Sequence, residues 1–97
     1  LADLLRFAHA MMDGKLLSDD LRDAATRSQT KGDWYGYGFE LHGAGLAHSY
    51  GHTGGAPGMS TEMRVYPDAK TVVIELCNID PGATVVSYYA NRMPLMP

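Results

Sequence analysis

Residues 51–77 read GHTGGAPGMSTEMRVYPDAKTVVIELC, and the fold turns on how this stretch is read. Gly51, Gly54, Gly55 and Gly58, with Pro57 among them and Gly45 nearby, exclude a helix. From Ser60 to Tyr66, Thr61, Met63 and Val65 alternate with Glu62, Arg64 and Tyr66, which is the period of a strand. Pro67-Asp68-Ala69-Lys70 makes a turn, and Thr71 to Cys77 is a β-branched, apolar run. The pattern predicts strands over 48–55, 60–66 and 71–78, the last two forming a hairpin whose second strand is buried on both faces.

Upstream, Tyr35, Tyr37, Phe39 and Leu41 alternate with Gly36, Gly38, Glu40 and His42, which predicts one further strand over 34–42. Leu4, Leu5, Ala8, Met11 and Met12 recur at helical spacing before Gly14, predicting a helix over 2–13 with a left-handed cap. Ser18 followed by Asp19 and Asp20 starts a second helix, 19–27. Asp80 and Pro81 open a third, 82–93, with Val85, Val86, Tyr89 and Met93 as its apolar stripe and Pro94 as its stop.

The 97 residues, 45% apolar and 20% charged, suit one small globular core. A chain this short leaves much of its surface open unless another chain or segment covers it. Its net charge of −3, with Lys and Arg unclustered, favours neither nucleic acid nor an anionic membrane. No apolar run reaches the roughly 20 residues of a membrane span, and no signal peptide is expected. Cys77 is the single cysteine and reads as a small buried strand residue, so the compartment stays open. The chain starts at Leu1 directly in helical sequence, as an excised fragment would.

His52-Thr53-Gly54, within Tyr50-Gly51-His52-Thr53-Gly54-Gly55-Ala56-Pro57-Gly58, resembles the third motif of the penicillin-recognising serine hydrolases. That motif is usually Lys-Thr-Gly, and the His-Thr-Gly form is common among class C β-lactamase-like esterases and peptidases. Tyr35-Gly36-Tyr37-Gly38 before it and the hairpin ending in Leu76-Cys77-Asn78 after it fit the same family, so the resemblance covers essentially the whole chain. It implies a C-terminal part of a β-lactamase-like domain. The family's Ser-x-x-Lys nucleophile and Tyr-x-Asn motif are expected to lie outside these residues.

The chemistry has reasons of its own. Glycines at 54 and 55 bare an edge of backbone, so an extended substrate can lie alongside and pair with it. The resemblance makes the Gly55 N–H an oxyanion donor beside the N–H of the nucleophilic serine, an arrangement worth about 3 kcal/mol per donor. It puts His52 in the lysine's place, near the nucleophile and the substrate carboxylate, with the Thr53 hydroxyl directed to the same group. A histidine there is a switchable donor, which favours esters and amides over strict D-Ala-D-Ala substrates.

Two other matches fail on position. Ser28-Gln29-Thr30-Lys31 has the nucleophile spacing but ends a helix ahead of Gly32, and Tyr89-Ala90-Asn91 follows the third motif instead of preceding it. They read as a solvated loop and a core aromatic. His48 and His52 stand four apart near His42, yet strand residues at that spacing are roughly 13 Å apart, too far to share an ion. Neither metal nor cofactor is expected, and His9 reads as a solvated helix residue.

The expected architecture is α+β: a three-stranded antiparallel meander plus the aromatic-glycine strand, with helices from both ends of the chain on one face. The expected function is that of a serine hydrolase acting on a β-lactam, ester or peptide-like amide through an acyl-enzyme, with the isolated chain inactive. The alternative is a non-enzymatic module that binds peptides, or itself, through the glycine-rich edge. The expected partners are the substrate, the missing N-terminal segment and a second copy joined at the open edge of the 71–78 strand. The resemblance points to a bacterial source and leaves periplasmic, secreted and cytoplasmic locations equally open.

Overall fold

The computed structural model describes residues 1–90 and residue 92, and shows an α+β fold with a four-stranded antiparallel sheet flanked by helices. The elements are α1 (Ala2–Met12), α2 (Asp19–Ala25), β1 (Glu40–His42), β2 (Ser49–Ala56), β3 (Met59–Tyr66), β4 (Thr71–Cys77) and α3 (Gly82–Ala90). The strands lie in the order β1-β2-β3-β4, so β4 forms one edge of the sheet.

Local turn chemistry sets the register. Pro57 and Gly58, the latter at φ +83, fill a two-residue connection that places Ala56 opposite Met59 and Tyr50 opposite Val65. Proline fixes φ at the first corner and glycine takes the positive φ of the second, as a type II turn requires. Across the Pro67–Lys70 turn, the Lys70 N–H donates to the Pro67 carbonyl at 3.3 Å and Tyr66 pairs with Thr71. The C-cap of α1 is Asp13; Gly14 follows it in the left-handed region, and the Lys15 N–H donates to the Ala10 carbonyl at 3.0 Å. Ser18 caps α2 by accepting the Leu21 N–H at 3.4 Å.

The sheet divides its residues by parity. One face carries Leu41, Tyr50 and Val65, which join Ala8 and Met11 of α1 in the buried core, with Met12, Leu17, Phe39, Met63 and Val72 packed around them. The other face carries Ser60, Glu62, Arg64 and Glu75, all buried, and α3 covers it with Ala83 and Ser87. Helices α1 and α3 therefore lie on opposite faces, not on one as the sequence suggested. The reason is the alternation within β3, whose apolar Met63 and Val65 need an apolar helix and whose charged Glu62 and Arg64 need hydrogen-bonding partners.

That polar face corrects three further expectations. Helix α3 turns Val85, Val86 and Tyr89 outward, and Tyr89 is 67% exposed against the neighbouring ring of Tyr88 instead of being a core aromatic. Strand β4 is mostly half-buried, with Leu76 exposed, because it is an edge. Cys77 is likewise only half-buried. Asn91, Met93 and Pro94 lie outside the described residues.

The strand expected over 34–42 is confined to Glu40–His42. Tyr35 bridges Glu40, the Gly36 N–H donates to the Phe39 carbonyl at 2.8 Å, and Gly38 sits at φ +84, so residues 35–40 form a tight reversal. The alternating glycines serve this turn. Phe39 reaches the core against the Tyr50 ring, with centroids 5.4 Å apart, and Trp34 and Tyr37 remain exposed.

Candidate functional site

Because β1 is only three residues long, it pairs with Ser49, Tyr50 and Gly51 and no further. From His52 to Ala56, β2 pairs among the described residues along one side only, with β3, which leaves its other side an open strip of backbone. The Thr53 N–H points to that side, where it donates to Glu40 Oε1 at 3.2 Å. Backbone groups of alternate residues point the same way, so the Gly55 N–H faces the open side as well. A Cβ at Gly55 would meet nothing nearer than the Met59 carbonyl oxygen at 3.9 Å.

His52 stands at the start of this strip, 49% exposed. Its Nδ1 contacts the Thr53 carbonyl, which can only accept, so Nδ1 carries a proton. Its Nε2 lies 3.0 Å from the Tyr35 hydroxyl, which donates to it in the neutral ring, and the two rings meet edge to face at 5.7 Å. The reversal at 35–40 is what carries Tyr35 to this position.

The Thr53 hydroxyl donates to Glu40 Oε1 at 2.8 Å, so both donors of Thr53 end on one carboxylate oxygen. The other oxygen, Oε2, lies 3.5 Å from His42 Nε2, and His52 Nδ1 lies 3.4 Å from Oε1. Burial raises the pKa of Glu40, but the hydrogen bonds from Thr53, then His42 and the nearby His52, outweigh it and hold the carboxyl below 4.5. The Glu40 side chain is only 15% exposed. It forms the negative centre of a cluster in which His42, His52 and Thr53 approach it and Tyr35 joins through His52.

The structure has His52, Thr53, Gly54 and Gly55 on one edge and adds Tyr35, Glu40 and His42, none of which the sequence placed in this site. The missing signal was register: Glu40 reaches Thr53 because β1 pairs Glu40 with Gly51. A groove of about 210 Å³ runs between Thr53–Gly55 and the start of α3 at Ala83 and Thr84. A larger cleft, about 750 Å³, lies among His9, Arg22, His48, Tyr50 and Lys70, away from the open strip. Ser28 is half-buried in a loop, its hydroxyl engaged with Thr30.

No curated protein and no solved structure matches the chain. The family model described as Beta-lactamase matches residues 1–93, nearly the whole length, and it agrees with the α+β sheet and its flanking helices. The chain belongs to the β-lactamase family.

Proposed function

We propose that this chain is the C-terminal portion of a serine hydrolase, with His52-Thr53-Gly54 as its third active-site motif and the open edge of β2 as its substrate-docking strand. The observation that carries the reading is the unpaired strip from His52 to Ala56, with Gly54 and Gly55 at its centre. An ester, β-lactam or amide lies along the strip. A serine from the N-terminal portion of the polypeptide attacks the carbonyl carbon, and the Gly55 N–H, with the serine's own N–H, holds the negative oxygen that develops. Collapse expels the alcohol or amine, and water then cleaves the acyl-enzyme. His52 orients and exchanges protons near the nucleophile, with Tyr35 fixing its ring.

A serine-reactive fluorophosphonate tests this reading. Native-length polypeptide is labelled at a serine outside residues 1–97, and the 97-residue chain alone is not. Labelling of the isolated chain that disappears in Ser28→Ala, or a native polypeptide that begins near Leu1 and binds extended peptides without cleaving them, overturns it.

The same reading assigns a partner to the outer edge of β4. Its backbone is unpaired on one side among the described residues, and Leu76, Ile79, Val85 and Val86 are exposed beside it or on the covering helix. Such an edge accepts a further strand, from the N-terminal segment or from a second copy. Light scattering after size exclusion is expected to show association of the isolated chain that addition of the N-terminal segment reverses. A monomer at all concentrations rejects the second copy.

A further inference from the structure

Thr53 has two donors that reach the open side of β2, its hydroxyl and its N–H. In the hydrolase reading these are the groups that would receive an anionic part of a substrate, and both already end on Glu40 Oε1, at 2.8 and 3.2 Å. We propose that Glu40 fills the anion subsite with the protein's own carboxylate, so that substrates are neutral or cationic beside Thr53 and anionic ones are rejected. This inference rests on the hydrolase reading for the word substrate, but the occupied subsite itself rests on geometry alone.

Three observations support it. A substrate carboxylate at Thr53 would have to displace Glu40 from two hydrogen bonds and then sit within a few ångströms of it, which is the like-charge juxtaposition that specific sites use to exclude a competitor. Glu40 has little room to withdraw: its side chain is 15% exposed, and its second oxygen faces His42 Nε2 at 3.5 Å. The basic side chains within 4 Å of it, among the described residues, are His42 and His52; Arg64 lines the same cavity, but its guanidinium is already paired with Glu62. The hydrogen bonds that hold Glu40 ionised act in the same direction.

Two measurements test the proposal. In native-length polypeptide, matched esters that differ only in a carboxylate or carboxamide near the acyl group are compared by kcat/KM. Wild type favours the neutral ester, and Glu40→Gln raises the anionic-to-neutral ratio about tenfold or more. Glu75→Gln, on the same face but two strands away from Thr53, leaves the ratio where it was. In the 97-residue chain, acetate is titrated while the Thr53 amide is followed by NMR. A saturable shift is expected in Glu40→Gln and not in wild type.

Saturable acetate binding by wild type, its absence in Glu40→Gln, or an unchanged ester ratio overturns the proposal. Failure of every ester to be hydrolysed, alongside acetate binding gained in Glu40→Gln, rejects the hydrolase and keeps the occupied subsite.

Discussion

Ser87 Oγ lies 3.0 Å from Glu75 Oε2 across the contact of α3 with β4, and the same hydroxyl donates to Glu62. One hydroxyl has one proton. Glu62 is paired with the Arg64 guanidinium, so it takes the Ser87 proton as a carboxylate, and Glu75 can complete the cluster only by bringing a proton of its own. Glu75 is 7% exposed and its Oε1 has no partner among the described residues, a state that a neutral carboxyl tolerates better than a carboxylate does. Burial first, and then the charge of Glu62, push the Glu75 pKa above 4.5, against the lowering by Ser87 and Arg64.

The sign of the pH effect follows. The folded chain holds the Glu75 proton more tightly than the unfolded chain does, so the stabilisation is complete below pH 4.5 and is lost as pH rises through the higher folded value. Glu75→Gln removes this loss and keeps a hydrogen-bonding group against Ser87. Urea unfolding is expected to find the variant about 1 kcal/mol more stable than wild type at pH 8, with the gap closing towards pH 4.5. Parallel curves at the two pH values would reject a protonated Glu75.

Helix α3 offers a second test, because its orientation runs against its hydropathy. Ser87→Ala takes the hydroxyl that contacts two buried carboxylates and is expected to cost about 1–3 kcal/mol. Val85→Ala and Val86→Ala remove side chains that are about half exposed and are expected to cost about 0.5 kcal/mol or less. Thermal unfolding of the three variants in isolated chain decides, and the reverse ranking would mean that α3 docks through its valines.

The strands and turns were legible in the sequence where their cause is local. Pro57-Gly58 and the Pro67–Lys70 turn fix their own hairpins, and alternation in Ser60 to Tyr66 states which residues share a face. What the sequence could not state was which face each helix would take. An apolar stripe of Val85, Val86 and Tyr89 predicts burial only if the opposing sheet is apolar, and here it carries Glu62, Arg64 and Glu75. Tyr35 and Glu40 were hidden for a related reason. Aromatic-glycine alternation looks like a strand whether the chain runs straight or reverses at Gly38, and only the reversal brings Tyr35 to His52 and Glu40 to Thr53.

The glycines of the motif separate into structural and functional members. A Cβ on Gly51 would lie 1.8 Å from the Met63 carbonyl oxygen, so Gly51→Ala must move one backbone off another and is expected to cost more than about 3 kcal/mol or prevent folding. At Gly54 the nearest atom to a new Cβ is Thr61 Oγ1 at 2.9 Å, which a side-chain rotation relieves, and at Gly55 there is open space. Gly54→Ala and Gly55→Ala are therefore expected to fold with losses near 1 kcal/mol or below. In native-length polypeptide their kcat/KM is expected to fall about tenfold or more, because a methyl group then stands on the docking strip. Circular dichroism and ester hydrolysis on the same preparations separate the two classes, and full activity in Gly55→Ala would argue against substrate lying there.

The ring of His52 makes a sharper claim than its position does. The Thr53 carbonyl accepts from Nδ1, so the neutral imidazole is protonated on Nδ1 and takes the Tyr35 hydroxyl proton at Nε2. Long-range proton–nitrogen NMR at pH 8 is expected to show a protonated Nδ1 and an acceptor Nε2. In Tyr35→Phe the Nε2 loses its donor and the ring its edge-to-face anchor, while stability changes by about 1 kcal/mol or less because the pair is exposed. Hydrolysis by the native-length polypeptide is expected to drop about tenfold, chiefly in kcat, since a ring that wanders serves the transition state less often than it serves binding. A wild-type ring found protonated on Nε2 alone would reverse the roles of Tyr35 and Thr53 and remove this account of how the motif histidine is held.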